Sequence, residues 1–142
     1  MLVVLDTNVI LSSLFSRTGA PAQVIKYWEA GDFDVSISRS LLSELERTLE
    51  YPKVKKYIKS QAAAEALFER LSEISILVEP QFRLDVIKRD TADNRVVECA
   101  KAAGAKYIVT GDDDLLELKE YEGIIILSPA EFITLLKLEK KQ

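Results

Sequence analysis

The 142-residue chain contains no histidine. That absence removes Ser-His-Asp and Cys-His nucleophilic systems, His-ligated zinc and imidazole acid–base catalysis together. A single cysteine, Cys99, excludes an intramolecular disulfide framework and fits a reducing compartment. The opening apolar run, Leu2–Leu5, is far too short to span a membrane, and no basic-then-apolar leader precedes it, so a cytoplasmic location is expected. A general basic excess is lacking too: 19 Lys+Arg stand against 23 Asp+Glu, a formal net charge of −4. Any surface for nucleic acid must therefore be local. What remains for chemistry is carboxylates, hydroxyls, amines or bound metal. With 48% hydrophobic and 30% charged residues, the composition predicts an ordinary soluble globule, one domain over residues 1–142.

Leu2, Val3, Val4 and Leu5 are apolar without alternation and mostly branched, as in a strand buried on both faces of a parallel sheet. The run leads directly into Asp6, at the strand exit where open α/β sheets place their ligands. Capping of the helix begun at Thr7 would explain the same aspartate. A second run, Tyr107–Thr110, also ends in acid, Gly111-Asp112-Asp113-Asp114, and three adjacent carboxylates repel one another unless solvent or a cation compensates them. Asp90 and Asp93 fall at or just before the first turn of a helix whose inner face is Val96, Val97, Ala100 and Ala103 and which Gly104 closes. A favourable interaction with the helix dipole would suffice for either.

Short strands at Phe33–Ser38, Ile76–Val78 and Ile124–Leu127 alternate with helical segments. The fold class predicted is α/β, a three-layer α/β/α domain with a central parallel sheet and right-handed crossovers. Ser40 reads as the N-cap of a helix over Leu41–Glu50, stopped by Pro52. Glu44 and Glu46 flank opposite edges of its apolar face, and periodicity does not choose between them. Trp28 reads as core. The segment Tyr51–Ser60 gathers Lys53, Lys55, Lys56 and Lys59 beside two tyrosines, either a solvated helix face or a contact with nucleic-acid backbone. Ser128-Pro129-Ala130-Glu131 is a capping box opening the last helix. In this architecture Asp6, Asp112 and the Asp93 loop share one sheet edge, and oxygen donors without histidine or cysteine suit a hard cation such as Mg²⁺ or Mn²⁺.

These residues together resemble the PIN domain, and more narrowly the toxin–antitoxin type of bacteria and archaea, over essentially the whole chain. LDTNVI is similar to that family's first motif, LLSELERTLEYP to its second, RDTADNRVVECAKAAGA to its third and VTGDDDLL to its fourth. The resemblance implies that Asp6, Glu44, Asp93 and Asp112 are the catalytic and metal-holding acids, with Asp114 as an outer ligand. Thr7, Asn8, Ser12, Asn94 and Thr110 would support them. Asn94 stands where close relatives often carry a further acid. The implied activity is a Mg²⁺- or Mn²⁺-dependent ribonuclease hydrolysing single-stranded RNA, in which the ions lower the pKa of a water that attacks the phosphorus in line. The implied partners are single-stranded RNA, a cognate antitoxin protein and a second copy in a homodimer.

Two other readings stay open. LDTN and GDDD also resemble the layout of haloacid-dehalogenase-type phosphoaspartyl phosphatases, although Asn8 holds the position where those enzymes expect a second aspartate. The third reading is a PIN-like module that binds RNA or a protein without cutting.

Overall fold

A computed structural model describes residues 1–141. Six strands form one sheet in the order β3-β2-β1-β4-β6-β5: β1 is Leu2–Leu5, β2 Asp34–Ser38, β3 Ile76–Val78, β4 Tyr107–Val109, β5 Glu120–Tyr121 and β6 Ile124–Leu127. The first four pairings along that order are parallel, and β5 pairs antiparallel with β6. The continuous apolar sequence of β1 has the cause expected of it, since Val3, Val4 and Leu5 are buried between neighbours on both sides.

The helices are α1 Thr7–Phe15, α2 Ala20–Glu29, α3 Arg39–Leu49, α4 Pro52–Lys55, α5 Gln61–Ile74, α6 Asn94–Ala103, α7 Asp113–Leu118 and α8 Pro129–Lys140. Val3, Leu5, Tyr107 and Val109 pack with Val9, Ile10, Val24, Ile25, Trp28, Phe132 and Leu136 on one side of the sheet. Val4, Ile108 and Ile126 pack with Val96, Val97, Ala100 and Leu115 on the other. This is the three-layer arrangement predicted, and successive residues of β1 and β4 alternate between its two cores. Each such fully buried aliphatic side chain contributes roughly 1.5–3 kcal/mol relative to exposure.

Several local signals act as their chemistry dictates. Ser60 caps α5 by accepting from the Ala63 amide at 3.1 Å, and Ser128 and Glu131 close the capping box of α8. Gly104 ends α6 with φ +68, a left-handed conformation that costs glycine least. Trp28 is buried in the first core.

Three expectations are corrected. The N-cap of α3 is Ser38, whose hydroxyl accepts from the Leu41 amide at 3.2 Å, and Ser40 lies inside the helix. Either serine satisfies the pattern; the parallel pairing of β2 through Ser38 decides where the chain turns. Ser38→Ala should cost about 1 kcal/mol and Ser40→Ala should be near neutral in urea unfolding. The lysine segment is helical for one turn only, Pro52–Lys55. The antiparallel strand β5 follows from a reversal at Glu122-Gly123, both at positive φ, which no periodicity announces.

Candidate metal centre

The site is built where β1 and β4 end side by side. The Asp6 amide still donates to the Val109 carbonyl, at 2.9 Å, so the last ladder bond places this aspartate at the carboxyl edge. Its carboxylate is buried and held from three sides. Thr110 Oγ1 donates to Oδ2 at 2.8 Å, Asn8 Nδ2 donates to the same oxygen at 3.3 Å, and Thr7 Oγ1 donates to Oδ1 at 3.5 Å. Asn8 Oδ1 in turn accepts from the Gly111 amide at 3.3 Å, and Thr110 Oγ1 accepts from the Asp112 amide at 3.0 Å. Asn8 and Thr110 thus lock the two strand exits to each other, and Thr7 steadies Asp6 from its own side.

Asp112 caps α7. Its Oδ1 accepts from the Asp114 and Leu115 amides at 2.8 and 3.3 Å, leaving the other oxygen for the site. Asp113 is exposed, while Asp112 and Asp114 are half-buried, so these two of the three adjacent aspartates face inward. Arg89 Nη1 stands 3.8 Å from Asp114 Oδ1.

Asp93 lies at the end of a 3₁₀ turn, Thr91–Asp93, and its Oδ2 is buried with no hydrogen-bond partner. Carboxylate oxygens of Asp90, Asp93 and Asp112 lie within 4.8 Å of one another. Asp90 is a member that sequence reasoning did not include. The available signal was its place three residues before Asp93, which a helix-dipole role already explained. Asp6 stands just outside this trio, with its charge felt by Asp93. Of the two glutamates, Glu44 is half-buried and its charge acts on Asp6, whereas Glu46 is exposed and lines a cavity of about 370 Å³ between α3 and α5.

The electrostatics fit a cation site. Burial raises the Asp93 pKa to about 7, reinforced by hydrogen bonding with Asp112 and by the charges of Asp112, Asp90 and Asp6. Burial likewise raises Asp6, opposed by the Thr110 hydroxyl and the Asn8 amide and aided by Asp112 and Glu44. An orphaned buried oxygen among mutually repelling hard donors suits a hard divalent cation. Because the folded pKa of Asp93 exceeds its ordinary 3.8, the metal-free fold binds more protons than the unfolded chain between those values. The Asp93 contribution to stability should be fully present below about pH 4 and be lost as pH rises to about 7. Saturating Mn²⁺ should remove most of that slope in thermal melts taken across the window.

Other predicted residues lie apart from the acids. Asn94 turns its amide to the preceding loop, accepting from the Val86 and Ile87 amides at 2.9 Å and donating to the Ile87 and Thr91 carbonyls. Ser12 makes no hydrogen bond to the acids among the described residues. Lys53, Lys55, Lys56 and Lys59 are exposed beyond the far end of α3. Cys99 is buried, and burial pushes its thiol up to about 12, which excludes a thiolate nucleophile.

A layered α/β/α fold with a cluster of carboxylates at the carboxyl edge of its parallel sheet defines a hard-cation site of the kind used on phosphates. The chain belongs to the PIN domain family: the family's profile matches residues 2–114, a span that contains all the acids described. PIN domains are generally metal-dependent nucleases that bind divalent ions. The chain is also similar to an uncharacterised protein of Methanocaldococcus jannaschii, MJ1680, at 30% identity over 118 residues, 83% of this chain and 75% of that protein. No solved structure matches the chain. Family membership sets the chain apart from the phosphoaspartyl enzymes, and the tethering of Asp6 Oδ2 by Thr110 and Asn8 gives that oxygen a fixed structural load. Among the described residues no helix is long and apolar enough to cross a membrane.

Proposed function

We propose that this protein is a Mg²⁺- or Mn²⁺-dependent endoribonuclease acting on single-stranded RNA, the toxin of a toxin–antitoxin pair, working in the cytoplasm as a homodimer of single-domain chains. The observation that carries the nuclease reading is the clustering of Asp90, Asp93 and Asp112 carboxylate oxygens within 4.8 Å of one another, with Asp93 Oδ2 buried and unpartnered, beside the tethered Asp6. The toxin subtype rests on the likeness of LDTNVI and the three later motifs to that group.

Asp90, Asp93 and Asp112 would hold the ion together with the neighbouring Asp6, with Glu44 and Asp114 at the margin. A bound divalent ion supplies an activated water and neutralises charge developing on a phosphodiester. The chain's own part is orientation and proton balance. Thr110 and Asn8 fix the Asp6 carboxylate, and the amides of α7 fix Asp112. Asp93 gives up a proton as the site fills, and Arg89 offers a cation at the rim beside Asp114.

The test is cleavage of labelled single-stranded RNA with Mg²⁺, Mn²⁺ or EDTA, beside Asp6→Asn and Asp112→Asn. Asparagine can still accept from Thr110 in the first and still cap α7 in the second, so both variants should fold. Metal-dependent cutting lost in both supports the reading. Cutting that persists in both refutes the site, and RNA binding without turnover by any form points to the non-catalytic module.

A further inference from the structure

Two aromatic side chains stand well out of the surface, Tyr51 and Tyr57, with 53% and 57% of their areas exposed. Both belong to the short segment between α3 and α5 that also carries Lys53, Lys55, Lys56 and Lys59, on a chain that is otherwise net acidic. Lys55 pairs with Glu50 at 3.0 Å, while Lys53, Lys56 and Lys59 have no carboxylate partner among the described residues. A tyrosine left in water loses the benefit of burying its ring, so two together among free cations call for an occupant.

The segment is also positioned against the acid site. Phe15, the last residue of α1, meets the Tyr57 ring edge-on at 6.1 Å, and the Leu14 carbonyl accepts from the Lys59 amide at 3.2 Å. Helix α1 begins next to Asp6, and α3 carries Glu44 before leading into Tyr51. At 1.5 Å per residue, Glu44 to Tyr51 spans about 10 Å and Asp6 to Phe15 about 14 Å along those helices. Lys56 Nζ lies 5.4 Å from the Tyr57 ring centroid, so a phosphate held by Lys56 leaves its base within reach of that ring.

We propose that Tyr51 and Tyr57, flanked by Lys53, Lys56 and Lys59, form a stacking platform that holds single-stranded RNA a few nucleotides away from the bond at the acid site. The inference rests on the nuclease reading for its direction but not for its test. Aromatic faces accept any base, and lysines follow the backbone, so binding would be tolerant of sequence and sensitive to salt.

Fluorescence anisotropy of a labelled 12-nucleotide mixed-sequence RNA in EDTA reads the platform without cleavage. Tyr51→Ala/Tyr57→Ala should weaken binding by roughly tenfold per tyrosine, and Tyr51→Phe/Tyr57→Phe should retain it, because stacking needs the ring and not the hydroxyl. Replacing Lys53, Lys56 and Lys59 by Gln should lower the slope of log affinity against log salt by about 2. Should loss of the Phe15 contact unfold the double variant, Tyr51→Ala alone carries the test. Unchanged affinity in the alanine variants, equal loss in the phenylalanine variants, or no binding by the wild type would overturn the platform. Binding that follows these expectations in a protein that never cuts RNA would sink the nuclease reading and leave the platform standing.

Discussion

Asp93→Asn should abolish metal-dependent RNA cleavage and at the same time raise the melting temperature of the metal-free protein at pH 8. The two effects share one cause. In the metal-free fold at pH 8 the Asp93 carboxylate is mostly ionised, buried, and opposed by Asp90, Asp112 and Asp6. An amide keeps the shape and can donate to Asp112, while the charge is gone. The stability difference between variant and wild type should be negligible near pH 4, grow through the window up to about 7, and level off above it. Saturating Mn²⁺ should reverse the ranking, since the wild type alone retains the full donor set. Loss of one ion-holding carboxylate removes several kcal/mol of charge stabilisation, on the order of a thousandfold in rate. Melts at several pH values with and without Mn²⁺ check the first part, and single-turnover cleavage checks the second. A variant no more stable than wild type at pH 8 would mean that the buried carboxylate is not under electrostatic load.

The second large effect is expected at Asn94. Its side chain makes four hydrogen bonds, to both amides at 86 and 87 and to the carbonyls of Ile87 and Thr91. Glu98, buried on the same helix, adds a bond from the Leu84 amide at 2.8 Å. Together they bind the irregular chain before Asp90 to α6, and with it the position of Arg89 and Asp90. Asn94→Ala would leave the buried Ile87 amide and carbonyl without partners, while the other two groups gain water. At about 1–3 kcal/mol for each buried unsatisfied group, the expected loss is about 3 kcal/mol. Hydrogen exchange at Val86 and Ile87 should accelerate, and metal affinity should fall by roughly 10–100-fold, as for other groups that orient ligands. Asn94→Asp is no remedy: it would turn an oxygen towards the Ile87 and Thr91 carbonyls. That is the physical reason an amide, and not a further acid, suits this position.

How much of this was legible in the sequence depends on whether the responsible partner is local. Leu2–Leu5 running into Asp6, the Ser60 cap, Gly104 and the Ser128–Glu131 box are settled by neighbours a few residues away, and each was readable. The bringing together of Asp6 and Asp112 was readable as well, because parallel strands deliver their exits to one edge. Glu44 against Glu46 was not, since both flank the same apolar stripe and only the packing of α3 across the end of the sheet distinguishes them. Asn94 was legible as a site residue through resemblance, but its actual partners are backbone groups of a loop, which carry no side-chain signature. Asp90 was hidden by a sufficient simpler explanation, and β5 by having only two residues.

A chain without histidine has no imidazole to exchange protons near neutrality. Against that silence the crowded carboxylates, with Asp93 titrating at about 7, become the molecule's own indicator. Proton release on adding Mn²⁺ in weak buffer would therefore report loading of this site directly, with no label and little background from the rest of the protein.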